Sequence, residues 1–227
     1  MDRTVGPIDA LLQERHLLKH PFYVAWSRGE LPIETLRDYA GQYFRFEAAF
    51  PRFVAAAYSQ LARTEDRRVL LENLIDEEGR SPTHPELWLD FARGIGLSRK
   101  ATLSARPYGA TESLLACYER LTRKGPEEAV SALYAYESIF PEIAAEKSRG
   151  LRAHYGIRDR ATHEFFRVHT EADVEHSGAE RKVLSGLLAH SPAARLAALR
   201  ASRASIGAWW SFLDAFPAGP GGARAAP

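Results

Sequence analysis

The segment from Arg167 to Gly178, RVHTEADVEHSG, limits most strongly how this chain can fold. On an α-helix with 3.6 residues per turn, His169, Asp173 and His176 fall within roughly 60° of one another on one face. The preceding residues, EFFRV, are apolar and aromatic, which indicates that this face points into the core. Because an unpartnered buried acid is costly, two imidazoles and a carboxylate on an inward face predict half of a metal site. A solvated polar stripe is the alternative.

Length and composition indicate one globular domain. With 227 residues and 45% apolar side chains, the chain can bury a sizeable core, and we expect residues 1–216 to form a single helical domain. Residues 217–227, PAGPGGARAAP, are too rich in Gly, Pro and Ala to pack, so we expect a disordered tail.

The charge pattern excludes several classes of partner. A formal net charge of +1 provides no basic surface for nucleic acid. The N-terminal MDRTVGPIDALLQER is charged where a secretory signal needs an apolar run, and no stretch of about 18 apolar residues could span a membrane. A single cysteine, Cys117, rules out an internal disulfide and fits a reducing compartment. We therefore expect a cytoplasmic protein that binds neither nucleic acid nor membrane.

Prolines and polar caps predict helices throughout the chain. Expected helix starts lie at Pro7, Pro21, Pro32, Thr64, Pro85, Ser98, Thr111, Pro126, Asp159 and Pro192. Pro51 should kink a helix over residues 32–61, and Pro141 should bend a helix over residues 125–154. The fold class is therefore all-α, with seven to nine helices around one core.

Two further segments offer metal ligands. In LIDEEGRSPTHPELW, Glu77 ends one helix and His84 begins the next, with Glu78 as the alternative to Glu77 because a helix end is uncertain by a residue or two. A solvent-facing charged turn is the other interpretation. In ALYAYESIFPEIAAEK, Glu137 lies among aromatic and aliphatic residues, an unusual place for an unpartnered carboxylate. Pro141, four residues later, should bend the helix and help to aim Glu137.

Together these segments give three carboxylates and three imidazoles, namely Glu77, His84, Glu137, His169, Asp173 and His176. Six ligands are too many for one zinc ion, but divided between two ions, with carboxylates bridging, they suit iron or manganese. The usual di-iron bundle takes one Glu from each of two helices and Glu-x-x-His from each of two more. Only Asp173 to His176 approaches that spacing, which disfavours a ferritin-like protein.

The order of these six residues resembles that of the haem-oxygenase-like dinuclear-metal oxidases, a seven-helix family with the TenA/PqqC-like fold. Six segments resemble one branch more closely, that of the Chlamydia protein associating with death domains and its bacterial relatives. These segments are HPFYVAWSRGEL, LRDYAGQYF, NLIDEEG, ALYAYES, AAEKSRGL and HTEADVEH, and they cover nearly the whole chain before the tail.

The resemblance implies synthesis of 4-aminobenzoate for folate, using dioxygen, an external reductant and two metal ions, either Fe/Fe or Fe/Mn. It implies that Tyr23 is sacrificed to supply the ring and that Lys147 donates the nitrogen, so that each chain acts once. Tyr39 and Tyr136 match family tyrosines that relay oxidation near the metals. A homodimer and an external electron donor are also implied.

The chemistry is consistent with the atoms involved. A tyrosine ring already carries para substituents, so Cβ could become the carboxyl carbon while an amine replaces the phenol oxygen; breaking Cα–Cβ requires a strong oxidant. On pattern alone, Tyr23, Tyr39 and Tyr136 could be core packing and Lys147 a solvated charge.

Other interpretations of the chain stay open at this point. They are an oxygenase acting on a free fatty or amino acid, a metal-free bundle that binds a partner, and a thiamine-salvage hydrolase using Cys117, which we otherwise expect to be a buried apolar residue. Glu142 and Glu171 are expected as partners that orient a ligating histidine. The remaining singled-out histidines, expected to be structural or exposed, are His16, His20, His163 and His190.

Overall fold

Prolines and capping side chains set most of the helix boundaries in the computed structural model, which describes residues 4–218. These residues form twelve α-helices and no strand. The helices are α1 Gly6–Glu14, α2 Pro21–Arg28, α3 Ile33–Glu47, α4 Phe50–Gln60, α5 Thr64–Glu78, α6 His84–Gly94, α7 Arg99–Ser104, α8 Gly109–Leu121, α9 Pro126–Glu137, α10 Phe140–His154, α11 Arg160–Leu188 and α12 Pro192–Asp214. The predicted all-α class is confirmed. Most of the predicted tail, residues 219–227, lies outside the described residues.

The twelve helices exceed the seven to nine expected, and the two internal prolines, which split predicted helices in two, account for two of the additional helices. Pro51 separates α3 from α4, and Pro141 separates α9 from α10. A proline ring clashes with the carbonyl four residues earlier, and here the clash is relieved by a two-residue break instead of a kink. Each break leaves a glutamate, Glu47 or Glu137, as the last residue of the preceding helix.

Several predicted caps are confirmed and one is wrong. Asp159 accepts a hydrogen bond from the Thr162 backbone N–H and so begins α11, and Ser98 caps α7 in the same way. Thr111 does not cap α8, which begins at Gly109. Its hydroxyl instead donates to the Gln42 side chain at 2.7 Å, a tertiary contact that the local sequence does not predict.

The core is centred on α9, in which every residue from Glu128 to Glu137 is buried. This helix packs against α12 on one side and α11 on another, while α11 also packs against α6 and α10. The polar stripe of α11 therefore faces the interior of the bundle. No helix within residues 4–218 combines the length and the apolar composition that a membrane crossing requires.

Candidate metal centre

Two clusters of potential metal ligands lie side by side in the core. In the first, Glu137 from α9 meets Asp173 and His176 from α11, and their donor atoms all lie within 4.8 Å of one another. His176 Nδ1 is 3.6 Å from Glu137 Oε1 and 3.8 Å from Asp173 Oδ1. All three side chains are buried. The last two residues of the predicted stripe thus face a carboxylate from the central helix.

The second cluster joins Glu47 from α3, His84 from α6 and His169 from α11 within the same 4.8 Å limit. The His84 and His169 rings lie 4.4 Å apart, and His169 Nε2 is 4.0 Å from Glu47 Oε1. All three side chains are buried. This cluster contains two predicted ligands and one glutamate that the sequence analysis did not select.

Glu77 links the two clusters. Its Oε1 lies 3.0 Å from His84 Nδ1 in the second cluster. Burial raises the pKa of Asp173 in the first cluster, and the charges of Glu137 and Glu77 raise it further. Glu77 is buried and Glu78 exposed, so Glu77 is the residue of the pair that faces the core. The structure therefore brings all six predicted ligand residues into one region.

Several donor atoms in this region make no hydrogen bond within the described part of the chain, although some lie close to an oppositely charged group. Six buried atoms make no hydrogen bond there: Glu47 Oε1, Glu77 Oε2, His84 Nδ1, Glu137 Oε2, Asp173 Oδ2 and His176 Nδ1. Leaving buried polar atoms unpaired costs about 1–3 kcal/mol each, and more for charged groups. Metal ions bound among these atoms would satisfy them, and carboxylates with imidazoles are the donors that iron and manganese accept. The residues fit a pair of such ions.

Hydrogen bonds fix which nitrogen of each α11 histidine faces the cluster. His169 Nδ1 bonds to the Phe165 carbonyl at 2.8 Å, which leaves Nε2 toward Glu47. His176 Nε2 lies 3.0 Å from Asp76 Oδ2, which leaves Nδ1 toward Glu137 and Asp173. Such partners orient ligating imidazoles and strengthen their basicity.

The prediction that Glu142 and Glu171 orient the histidines is wrong. Both side chains are exposed: Glu142 lies 3.4 Å from His16 Nε2, and Glu171 pairs with Arg167 at 3.0 Å. Both lie at helical positions that turn them away from the core, and the roles expected of them fall to Asp76 and to the Phe165 carbonyl.

Lys147 lies in an aromatic chamber instead of in solvent. Its side chain is 1% exposed, and Nζ has no hydrogen-bond partner among the described residues. Nζ lies 5.4 Å from the Tyr23 ring centroid, 5.1 Å from that of Tyr39 and 4.6 Å from that of Tyr43. Burial lowers the pKa of the Lys147 amine well below its ordinary value, and the nearby charge of Glu47 opposes this only in part. Burial therefore favours the neutral, nucleophilic form of the amine.

Four tyrosines form a continuous line through this chamber. The hydroxyls of Tyr23 and Tyr39 lie 2.9 Å apart, the rings of Tyr39 and Tyr43 are 5.5 Å apart, and the hydroxyls of Tyr43 and Tyr136 are in contact. Burial raises the pKa of each phenol. Tyr43, which the sequence analysis did not select, joins the three tyrosines that it did select.

A close helix contact sets the position of Lys147 relative to Tyr23. Trp26, one turn after Tyr23 on α2, donates its indole N–H to the Lys147 carbonyl of α10 at 3.2 Å. A Cβ on Gly150 would lie 2.7 Å from Trp26 Cδ1, so a glycine is needed for the two helices to approach this closely. This contact between α2 and α10 therefore fixes where the Tyr23 ring and the Lys147 amine lie relative to each other.

The sequence analysis missed two glutamates, Glu47 and Glu180, although the sequence contains a pattern that indicates each of them. Glu47 begins the segment EAAFP, and Glu137 begins ESIFP, so the same Glu-x-x-Phe-Pro pattern occurs twice. Glu180 continues the α11 stripe four residues after His176 and is fully buried. This burial raises the pKa of Glu180, and the charge of the nearby Glu137 raises it further.

The remaining histidines and the cysteine lie away from the clusters. His16 and His20 accept hydrogen bonds from backbone N–H groups at helix starts, and His163 bonds to the Ser148 hydroxyl. His190 is exposed. Cys117 is buried on α8, and desolvation raises the pKa of its thiol, so it lacks the features of a nucleophile.

A surface cavity of about 450 Å³ lies outside the second cluster, between the loop after α5 and the outer side of α11. Its lining includes the ligand candidate His84 and also Asp76, which orients His176. The cavity therefore gives solvent molecules an approach to the buried centre.

The helical architecture and the buried donor set define a haem-oxygenase-like bundle with a candidate metal centre in its core. The chain belongs to the family of iron-containing redox enzymes, whose sequence profile matches residues 37–210, and it is an oxidoreductase. It is 38% identical over 210 residues to the 4-aminobenzoate synthase of Chlamydia muridarum, an alignment that covers 92% of this chain and 88% of that protein. The family named from sequence is confirmed.

Solved structures share the fold. A CADD-like protein from Nostoc punctiforme matches with a TM-score of 0.78 at 19% identity, over 92% of this chain and 94% of that one. A TenA homologue from Pseudomonas syringae pv. tomato matches with a TM-score of 0.79 at 15% identity, over 93% and 90%. The predicted TenA-like fold is therefore confirmed.

Proposed function

We propose that this protein is a 4-aminobenzoate synthase that consumes part of its own chain, taking the ring from Tyr23 and the nitrogen from Lys147. The observation that carries the proposal is the position of the Lys147 amine, which is buried, unpartnered and 5.4 Å from the Tyr23 ring centroid. The similarity to named 4-aminobenzoate synthases supports the product.

Six residues would hold two ions, Fe/Fe or Fe/Mn: Glu77, His84, Glu137, His169, Asp173 and His176. When bound, these ions would supply the activation of dioxygen that ordinary side chains cannot provide. The buried amine of Lys147 lies near this centre, because Lys147 Nζ and the His169 ring both pack on Phe140, at 5.0 and 5.4 Å from its centroid.

The chain's own groups account for the remaining requirements. Cleavage of Cα–Cβ releases the Tyr23 side chain, and Cβ is oxidised to the carboxyl carbon. Lys147 Nζ replaces the phenol oxygen, which leaves as water, and the Cε–Nζ bond of Lys147 breaks as Cε is oxidised to an aldehyde. Dioxygen is the oxidant, and an external reductant supplies the electrons that the protein does not. Burial favours the neutral form of the Lys147 amine, and that form has the free lone pair that C–N bond formation requires.

Tyr39 holds the hydroxyl of Tyr23 by a hydrogen bond of 2.9 Å and can exchange a proton with it. The rings around the chamber exclude water, which keeps the amine unprotonated and protects reactive species. We infer that Tyr43 and Tyr136 continue this line as the route for oxidation between the metals and the sacrificed ring. A cytoplasmic location, a homodimer and an external electron donor are part of the same proposal.

The test is to load the purified protein with ferrous and manganous ions, add oxygen and a reductant, and follow both the product and the protein. Peptide mapping should show that the peptide carrying Tyr23 loses its 4-hydroxybenzyl group as 4-aminobenzoate forms, with at most one product per chain. Product that accumulates over many turnovers while Tyr23 stays intact would refute self-sacrifice and favour an oxygenase acting on a free substrate.

Matched variants separate the two donors from the metal site. Tyr23→Phe and Lys147→Arg should abolish the product while metal content stays at the wild-type level, because neither side chain is among the ligands. Tyr58→Phe and Lys124→Arg, which alter a tyrosine and a lysine outside the chamber, should leave product formation unchanged. Loss of metal in Tyr23→Phe would contradict the assignment of roles.

A further inference from the structure

We propose that Glu47 is a seventh metal ligand, which joins His84 and His169 on one ion. This inference rests on the proposed dinuclear centre and goes beyond the six-residue ligand set. The resulting set gives each ion three residues of its own and a share of Glu77.

The geometry of Glu47 is that of a ligand. One of its oxygens lies within 4.8 Å of donor atoms from both His84 and His169, and its Oε1 is 4.0 Å from His169 Nε2. The facing nitrogen of His169 is the one left free by the Phe165 hydrogen bond.

The burial of Glu47 has no other explanation among the described residues. The side chain is 3% exposed, and Oε1 has no hydrogen-bond partner. A cation is the partner that would keep a buried carboxylate ionised at low cost.

The backbone around Glu47 matches that around Glu137. Each glutamate ends a helix, precedes a two-residue break and stands four residues before a proline, Pro51 or Pro141. The break after each glutamate frees it from the regular helical path and turns it toward the α11 stripe. The same arrangement of a helix-ending glutamate, a two-residue break and a proline therefore occurs twice, once beside each proposed ion.

Glu47 also lies on the chamber side of the centre. It stands one turn after Tyr43 on α3, and the Tyr43 ring centroid is 4.6 Å from Nζ of Lys147, the nitrogen donor in the proposed reaction. With Glu47 bound, the second ion would have Glu47, His84, His169 and Glu77 as protein ligands, which leaves open positions for small molecules.

The experiment uses Co²⁺ as a spectroscopic probe on the full-length protein without oxygen. Wild-type protein should bind two ions per chain, counted by equilibrium dialysis and elemental analysis. Glu47→Gln keeps the size of the side chain and removes its charge. The variant should bind one ion with wild-type affinity and the other at least tenfold more weakly. Residues that only hydrogen-bond to a ligand already change metal affinity by about ten- to a hundredfold, so the loss of a ligand should have at least this effect.

Three comparisons locate the effect. His84→Ala should lose the same component of the visible Co²⁺ spectrum as Glu47→Gln. Glu47→Asp, which keeps the carboxylate, should recover part of the lost affinity and reports on the ligand if Glu47→Gln folds poorly. Glu128→Gln removes the charge of a mostly buried carboxylate on α9, which pairs with Lys124, and this variant should bind both ions with wild-type affinity.

Two results would overturn the inference, and they differ. If wild-type protein binds two ions and Glu47→Gln binds both with unchanged affinity and spectrum, Glu47 is not a ligand, while the dinuclear proposal stands. If wild-type protein binds fewer than two ions, the dinuclear proposal itself fails and the seventh ligand fails with it.

Discussion

Replacing Lys147 with Met should stabilise the metal-free protein, although it abolishes the proposed reaction. The Lys147 side chain is fully enclosed, and five aromatic ring centroids lie 4.6 to 5.4 Å from Nζ. Met fills a similar volume without an amine to desolvate. Replacing buried ionic groups by apolar ones of similar size stabilises proteins by about 1–4 kcal/mol, and we expect a gain in that range near neutral pH.

The gain in stability from Lys147→Met should depend on pH. Burial lowers the folded-state pKa of Lys147 below its ordinary value of 10.5, so at a pH between these two values the amine is neutral in the folded chain and protonated in the unfolded chain. Unfolding therefore takes up a proton, and this lysine makes the wild-type free energy of unfolding rise by about 1.4 kcal/mol per pH unit between the two values. The advantage of Lys147→Met should shrink by the same amount as the pH rises.

The assay is denaturant unfolding of both chelator-treated proteins at several pH values between about pH 7 and about pH 9. Titrating groups remote from Lys147 are common to both proteins and cancel in the difference. Glu47 is the neighbour whose pKa the substitution also changes, and including Glu47→Gln in both backgrounds removes its contribution. Lys124→Met, which removes an exposed lysine, should show no such pH-dependent difference. A less stable Lys147→Met protein, or a gain that stays constant with pH, would refute the view that the buried amine is neutral.

Three further predictions concern packing, metal binding and the tyrosine line. Gly150→Ala should lower the free energy of unfolding by about 1–3 kcal/mol, because its Cβ would lie 2.7 Å from the Trp26 ring; denaturant unfolding measures this. Asp76→Asn should weaken binding of one ion by about ten- to a hundredfold by loosening His176, as measured by metal titration. Tyr43→Phe should slow single-turnover formation of 4-aminobenzoate by about tenfold, the equivalent of one lost hydrogen bond, without changing metal content.

Each of these predictions has a clear contrary result. Gly186→Ala, at a site where a Cβ meets nothing within 4 Å, should not destabilise the protein, and equal losses at both glycines would point to a general effect of the substitution. Unchanged metal affinity in Asp76→Asn would show that His176 is oriented by other contacts. A wild-type rate in Tyr43→Phe would remove that residue from the oxidation route.

Much of the centre could be predicted because its signals are local. The spacing of His169, Asp173 and His176 places them on one helix face whatever the rest of the fold does, and an apolar flank indicates the inward direction. Glu137 was found because a carboxylate in an aromatic run is unusual. The helix breaks at Pro51 and Pro141 follow from covalent geometry, though the sequence does not decide between a kink and a complete break.

The remaining features depend on tertiary contacts that no local pattern encodes. Lys147 stands in a charged stretch of α10, and only the packing of α10 on α2 encloses it. Tyr43 is one of several aromatic residues on α3, and its role is visible only through its contact with Tyr136. Glu47 is the exception, since its Glu-x-x-Phe-Pro segment repeats the pattern around Glu137 and the comparison would have selected it.

The most direct test of self-sacrifice follows heavy isotopes from the chain into the product. Protein grown with heavy carbon in its tyrosine rings and heavy nitrogen in its lysine side chains is loaded with unlabelled metals, oxygen and reductant, and the 4-aminobenzoate is analysed by mass spectrometry. The account predicts product carrying both labels, with no more than one molecule per chain. Product without the ring label, or with nitrogen from the medium, would contradict it.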